Sequence, residues 1–267
     1  MSPPPTELIG AAGRRYLFKQ LIQGRPHLGR VWLATSGQDK FILKDIPKPI
    51  FSSFNEDIRP RLRESQFLGN TISDPRIFVY KYMNDDVLTL VRNQIPIQAR
   101  KQILKATLRG IAELHSHDIV RLDIKPDNIM VNYRGTGPET IVEQCIYAML
   151  GQVIFGADDD LRKHESQGAF PHIIRLQRQV SFLGDREGLN GLMKHVGDEE
   201  VNCQFLGCLW DDRVAEYHPY KPFSDWPNVD DDNFKDLIRR MTNLDPRKRA
   251  TAREVLAHSW FADCDID

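Results

Sequence analysis

The chain has 267 residues, a formal net charge of −1 and a hydrophobic fraction of 41%. These values are ordinary for a globular protein and exclude wholesale disorder, and the balanced charge provides no global basic field for nucleic acid or an anionic membrane. The four cysteines fit no zinc template, so we expect free thiols in a reducing compartment. The N-terminal residues show no secretory pattern, so we predict a cytoplasmic or nuclear protein. We also expect a monomer, with no nucleic-acid or membrane partner.

The N-terminal part of the chain is predicted to be rich in strands. Residues 16–46 contain short apolar runs separated by glycine-containing turns, which is typical of a meander of three antiparallel strands. Prolines within residues 46–50 interrupt this pattern. Residues 61–68 then predict a helix, and residues 77–83 predict a further strand.

The remainder of the chain is predicted to be mainly helical. Apolar residues recur at helical spacing in residues 99–115, and Phe234 begins a stripe with i, i+3, i+4, i+7 spacing. Thr251 and Glu254 have the spacing of a capping box that opens a last helix. Together these patterns predict an α+β fold, with a strand-rich N-terminal lobe followed by a helical C-terminal lobe.

Two features of the strand-rich part could bind phosphate. Gly24 and Gly29 flank a turn between predicted strands, and glycines allow backbone amides to approach a phosphate closely. An ordinary hairpin turn gives the same pattern. Lys44 ends a hydrophobic strand, where a lysine is most often a surface residue that extends its charge into water.

Three polar residues follow the predicted helix of residues 99–115. On residue type alone, Asp123, Lys125 and Asn128 belong to a helix-to-strand loop that is rich in turn formers. The segment resembles the catalytic loop H-R-D-x-K-x-x-N of Ser/Thr protein kinases. The resemblance implies that Asp123 orients the substrate hydroxyl, Lys125 steadies the γ-phosphate of ATP, and Asn128 binds magnesium.

The N-terminal glycines fit the same resemblance. Gly24, Gly29 and Val31 resemble the kinase Gly-rich loop G-x-G-x-x-G-x-V, with Pro26 in the place of the middle glycine. Because proline has no N–H group, Pro26 removes one potential phosphate donor and stiffens the loop. The resemblance therefore implies an ATP-binding loop that is weaker than the family pattern.

Lys44 resembles the strand lysine that binds the ATP phosphates in kinases. Its expected partner is a glutamate on the following helix. We prefer Glu64 for this role, with Glu56 as the alternative. Lys81 to Met83 correspond to the hinge segment, which completes the implied nucleotide-binding set.

A second family segment lies near the C-terminus. Residues 243–251 resemble the closing L-D-P-x-x-R-x-[ST] segment of protein kinases, with Arg249 as the structural arginine. This segment separates the chain from small-molecule phosphotransferases that share only the catalytic loop. The resemblance covers residues 16–261, is nearest to fungal kinase-like proteins, and implies a two-lobed protein-kinase-like fold. The implied organisation is an N-terminal tail (1–15), an N-lobe (16–83), a C-lobe (84–261) and a C-terminal tail (262–267).

The chain departs from the family pattern around its catalytic loop. Arg121 and Leu122 stand where the family has His-Arg, and no Asp-x-Gly follows Asn128, although the family uses that aspartate as its main magnesium ligand. No activation loop is evident. The segments on the two sides of Gln144 and Cys145 resemble regions that are far apart in kinases. We therefore predict that the activation segment is deleted and that the C-lobe is incomplete after Gln144.

The resemblance implies ATP- and magnesium-dependent phosphoryl transfer to Ser or Thr of a protein, impaired or lost in this chain. One alternative is a pseudokinase that binds a protein partner, and another is the truncated product of a mis-spliced kinase transcript. The sequence does not identify a substrate or a partner. Asp158 lies in an acidic run that is by default a solvated loop, and it is the first candidate for a replacement metal ligand.

Overall fold

The computed structural model describes most of the chain. The described residues are 6–10, 13–25, 29–62, 70–72, 76–120, 124, 126–131, 149–150, 154–156, 158–197, 200–211 and 220–264. The chain divides into two compact units, one formed by residues 1–84 and 117–119 and the other by residues 85–116 and 120–267. None of the helices in the described ranges combines the length and apolarity needed to cross a membrane.

Within the described residues, the first unit is built on a curled antiparallel sheet of six strands. Its strands are β1 (Glu7–Ile9), β2 (Arg15–Arg25), β3 (Gly29–Ser36), β4 (Asp39–Asp45), β5 (Asn70–Ile72) and β6 (Ile77–Lys81). The strand order is β1-β2-β3-β4-β6-β5, so β6 lies between β4 and β5. The predicted meander and the predicted fourth strand are confirmed, and the short strands β1 and β5 are additional.

The sheet has one buried face and one partly exposed face, because successive side chains of a strand point to opposite sides. On β4, Phe41 and Leu43 are buried, Ile42 is half-buried and Lys44 is exposed. The buried face forms the core of this unit. Its buried members are Tyr16, Trp32, Ala34, Phe41, Leu43, Ile72, Ile77 and Val79.

A short helix follows β4 directly. Helix α1 (Lys48–Ser53) continues into a π-helical turn at Phe54–Ile58. The sequence predicted only a proline break here, yet Pro49 stands in the first turn of α1, where the missing N–H group costs no helical hydrogen bond. Phe51 and Phe54 contact Phe78 of β6, with ring centroids 5.6 and 4.7 Å apart. The helix predicted over residues 61–68 lies mainly outside the described residues.

The second unit is mainly helical. The helices among its described residues are α2 (Val87–Arg92), α3 (Ile97–Ser116), α4 (Asp159–Ser166), α5 (Pro171–Leu183), α6 (Arg186–Val196), α7 (Glu200–Asp211), α8 (Asp232–Met241) and α9 (Ala252–Leu256). A two-stranded ribbon pairs β7 (Asp85–Asp86) with β8 (Met130–Val131). Helices α3, α8 and α9 confirm the predicted helical part, and both hydrogen bonds of the Thr251–Glu254 capping box are present.

The core of the second unit joins elements from both ends of its sequence. Leu104 and Leu108 of α3 belong to one cluster with Phe234 and Leu237 of α8. Met149, Leu150 and Ile154 are partly buried and pack against the same cluster. The chain that follows the predicted deletion point therefore contributes to this core.

Small residues allow α6 to approach the closing segment. A side chain at Gly191 would overlap the Cβ and carboxylate of Asp245, which is buried. The Asp245 carboxylate accepts the backbone N–H of Arg247 at 3.0 Å. Arg249 is exposed and donates from Nε to the carbonyl of Asn243 at 2.9 Å. The Leu-Asp-Pro motif is thus a compact turn that packs against the glycine side of α6.

A polar network connects α8 to the residues before the C-terminus. Asp231 caps α8 by accepting the N–H of Phe234, and its other oxygen accepts the indole N–H of Trp260 at 2.8 Å. His258 Nδ1 accepts the N–H of Trp260, which leaves Nε2–H to donate to Asp236 at 3.0 Å. These bonds hold the C-terminal turn against the polar edge of α8.

Asp236 is predicted to make stability depend on pH. Hydrogen bonds from His258 and then from Arg239 and Arg240 hold the pKa of Asp236 far below its ordinary value. A depressed carboxylate pKa stabilises the folded state above the unfolded pKa of about 3.9, and this contribution is lost as pH falls toward the folded pKa. We expect Asp236→Asn to lower the free energy of unfolding by about 1–3 kcal/mol at pH 7.

Urea unfolding of both proteins from pH 7 to pH 2 would test this expectation. The difference between the wild type and Asp236→Asn should shrink as pH falls below about 4, because the Asp236 carboxylate of the unfolded chain then binds a proton that the folded protein does not, which favours unfolding of the wild type. Asp230→Asn, which removes an exposed carboxylate from the same region, is the matched control and should have little effect. A difference that stays constant down to pH 2 would contradict the assigned role of the carboxylate.

Candidate functional site

The candidate phosphate-binding lysine lies on the partly exposed face of the first unit. Lys44 is exposed and is the cross-strand partner of Val31 on β3 and of Phe78 on β6. Because directly opposed residues share a face, the sheet brings the lysine and the valine of the Gly-rich pattern together. The ammonium group is therefore presented beside the hairpin that carries Gly24 and Gly29.

The two glycines of this hairpin differ in how strictly the backbone requires glycine. Gly29 has φ +89°, and a side chain there would overlap the backbone carbonyl of Asp45. The adjacent Arg30 donates from Nε to the Asp45 carboxylate at 2.8 Å, which holds the start of β3 against the end of β4. An added Cβ at Gly24 would have nothing closer than 3.9 Å. Pro26 lies outside the described residues.

The structure does not pair Lys44 with the alternative glutamate. Glu56 lies exposed in the π-helical turn, and among the described residues no ion pair to Lys44 is present. The preferred partner, Glu64, lies outside the described residues. The helix that carries Glu56 nevertheless packs on Phe78, the cross-strand neighbour of Lys44. Glu56 is thus on the helix that packs against the lysine's face of the sheet.

The predicted hinge leaves the sheet at the end of β6. Lys81 is exposed and pairs with Phe41 of β4. The next residue, Tyr82, donates its N–H to the carbonyl of Lys40 at 3.0 Å, and the Lys40 ammonium lies 5.4 Å from the Tyr82 ring centroid. Met83, the last predicted hinge residue, is half-buried. The first hinge residues are therefore held in register with β4.

Asn128 has a defined position in the second unit. It ends a 3₁₀ turn, Pro126–Asn128, and is exposed. The following residue, Ile129, is buried and accepts the N–H of Val87 at 3.1 Å. Asp86 caps α2 by accepting the Thr89 N–H at 2.8 Å, a role that the Asp-x-x-Thr spacing could have indicated. The other candidate loop residues, Asp123 and Lys125, lie outside the described residues.

Asp158 has a structural role. Its carboxylate accepts from the buried Arg178 at 2.7 Å and from the N–H of Leu161 at 2.8 Å, so that it caps α4. The hydrogen bond from Arg178 lowers the pKa of Asp158. Arg178 also donates to the carbonyl of Gly156 at 3.4 Å. Moving Asp158 to bind a metal would break its ion pair with the buried Arg178 and its cap on α4, which argues against the hypothesis of a replacement ligand.

Metal ligands are few in the part of the chain that the structure describes. No group of three His, Cys, Asp or Glu side chains in that part is arranged to hold a metal ion. The described candidate ligand, Asn128, offers an amide oxygen and no charge. The sequence supplies no Asp-x-Gly aspartate after it. This donor set does not fit the magnesium site of the kinase family.

Comparison with known proteins indicates the class of this fold. No family model matches the chain. The chain is 21% identical over 94% of its length to a Dictyostelium discoideum protein named as serine/threonine-protein kinase fhkE, covering 38% of that protein. It is 23% identical over 83% of its length to a Caenorhabditis elegans protein named as ribosomal protein S6 kinase alpha-1, covering 30% of that protein.

A further Dictyostelium discoideum protein, named as serine/threonine-protein kinase fhkD, is 25% identical over 62% of the chain and 24% of its own length. The chain therefore spans less than two fifths of the length of these relatives. Together with the sheet followed by a helical unit, these similarities support a kinase-like family and an α+β kinase-like fold. The particular resemblance to fungal proteins and the deletion of the activation segment stay predictions.

The two hairpin glycines provide a matched test of the loop geometry. We expect Gly29→Ala to destabilise the protein by about 1–3 kcal/mol, because alanine is strained at positive φ and its methyl group would displace the Asp45 carbonyl. Gly24→Ala should change stability by less than about 1 kcal/mol, since Gly24 has neither constraint. Thermal and urea unfolding of the two variants would measure the difference. Equal effects would mean that the approach of Gly29 to Asp45 does not constrain the hairpin.

Proposed function

We propose that this chain is a kinase-like domain that binds nucleotide through the lysine-bearing face of its sheet and transfers phosphate poorly or not at all. The observation that carries this proposal is the register of β3 against β4, which opposes Val31 and Lys44 beside the Gly24–Gly29 hairpin. A cation next to a glycine hairpin is suited to a polyphosphate, because the ammonium group and nearby backbone N–H groups are all donors to oxygen.

The remaining roles follow from the resemblance to the kinase catalytic loop. Asp123 would accept the proton of a Ser or Thr hydroxyl, and Lys125 would donate to the transferred phosphate. Asn128, at the end of its 3₁₀ turn, is the matching position for a metal ligand. In the family, magnesium neutralises the charge of the β- and γ-phosphates. The expected substrate is a protein, and a cytoplasmic or nuclear location is part of the proposal.

Weak activity is proposed from the donor set. Phosphoryl transfer depends mainly on positioning and electrostatic stabilisation, so that losing the metal aspartate removes a large contribution. The sequence has no Asp-x-Gly after Asn128, and Asp158 is engaged with Arg178. We therefore expect nucleotide binding to survive better than catalysis does.

A pseudokinase that binds a protein partner is the second candidate. It is favoured by the packing of Met149, Leu150 and Ile154 against the core, and by the hydrogen bond from Arg178 to the carbonyl of Gly156. We would not expect a misfolded product of a mis-spliced transcript to form these contacts downstream of the predicted deletion. They support a folded domain that could serve as a binding module even without catalysis.

Nucleotide binding is expected to be weak and nearly independent of magnesium. Titrating a fluorescent ATP analogue with and without magnesium should give affinities within about tenfold of each other, because one amide ligand cannot hold the metal firmly. Lys44→Met should abolish the binding, whereas Lys19→Met, which removes an exposed lysine of β2, should leave it unchanged. A hundredfold gain with magnesium, about 2.7 kcal/mol, would contradict the proposed loss of the metal site.

Phosphoryl transfer to generic Ser/Thr substrates is expected not to exceed background. The assay would follow labelled phosphate from ATP onto a mixed substrate protein, with an active Ser/Thr kinase as the positive control. Robust transfer that disappears in Asp123→Asn would overturn the prediction. That result would also require a metal ligand other than Asp158.

A further inference from the structure

One strand places an apolar side chain next to the candidate phosphate-binding lysine. Ile42 and Lys44 are two residues apart on β4, so both point to the partly exposed face of the sheet. The cross-strand partners of Ile42 are Leu33 on β3 and Tyr80 on β6. Three bulky side chains therefore form a row across this face, one step along the strands from Lys44.

This row lies between the lysine and the predicted hinge. Strand β6 runs antiparallel to β4, and its Tyr80 stands just before Lys81 and the hinge residues Tyr82 and Met83. Two residues of strand span about 7 Å. A nucleotide with its phosphates at Lys44 and its base toward the hinge would have to lay the base over the row that contains Ile42.

The side chain of Ile42 leaves little space for a nucleotide base on this face of the sheet. The kinase strand motif V-A-I-K has alanine two residues before its lysine, and isoleucine at this position adds three carbon atoms. A β-branched side chain in a strand has little χ1 freedom, and Leu33 and Tyr80 flank it on both sides. Ile42 is half-buried, so it cannot turn fully into water.

We infer that Ile42 limits how closely a purine base can approach this face, so that nucleotide affinity comes mainly from the polyphosphate at Lys44. This inference rests on the proposed nucleotide binding. It predicts a ligand preference that is unusual for a nucleotide site: inorganic tripolyphosphate binds almost as well as ATP. It also predicts that the side chain of Ile42 determines how much the base adds to the binding affinity for ATP.

Calorimetric titration of ATP and of tripolyphosphate, without magnesium, would test the inference. The wild type should bind the two ligands within about threefold of each other. Ile42→Ala should strengthen ATP binding about tenfold by opening contact area for the base, and should leave tripolyphosphate binding unchanged. Ile42→Val should give a smaller gain in the same direction, and it carries the test if the alanine variant does not fold.

Two controls separate the possible outcomes. Ile9→Ala truncates an exposed isoleucine of β1, the edge strand three positions from β4 in the sheet, and should alter neither affinity, while Lys44→Met should remove both. If the wild type prefers ATP by more than tenfold and Ile42→Ala gains nothing, the inference fails while nucleotide binding stands. If neither ligand binds to the wild type or to the Ile42 variants, both the inference and the proposed function fail.

Discussion

The first unit depends on strand β4, whose alternate side chains lie in two different environments, the buried core and the partly exposed face of the sheet. Phe41 and Leu43 pack into the buried face of the curled sheet. Because successive side chains of a strand point to opposite faces, Ile42 and Lys44 lie on the partly exposed face. A slip of one residue would place the lysine in the core and two apolar side chains in water. The register with β3 and β6 is therefore enforced by the core, and the candidate site takes its position from that register.

Periodicity predicted the elements that have regular patterns and missed those that do not. Helix α8 follows its apolar stripe, and the Thr251–Glu254 capping box marks the start of α9. Strands β1 and β5 are three residues each, too short for an alternation to be recognised. Helix α1 has Pro49 in its first turn, and the sequence pattern predicted only a break there, because a proline that interrupts a strand is also tolerated in the first turn of a helix.

The sequence predicted which residue types form the candidate site, but it did not predict how those residues are arranged in three dimensions. The spacing of Gly24 and Gly29 indicated a phosphate loop, yet it could not show that only Gly29 is required by a close approach to Asp45. The ion pair of Arg178 with Asp158 joins residues twenty positions apart, and a buried arginine leaves no periodic signal. Choosing between Glu56 and Glu64 as the partner of Lys44 likewise depends on how a helix packs, which a pattern of residues does not contain.

The segment from Phe261 to Cys264 is attached to α3 by hydrogen bonds. Because of this attachment, the native thiol of Cys264 can report how often the segment detaches. Gln98 and Lys105 of α3 hold the backbone carbonyls of Asp263 and Phe261, and the thiol of Cys264 is completely buried beneath this contact. Burial also raises the pKa of that thiol, so little of the reactive thiolate exists while the segment is attached. An alkylating reagent can modify Cys264 only after the segment detaches, so the labelling rate of this native thiol reports the local opening equilibrium without an introduced probe.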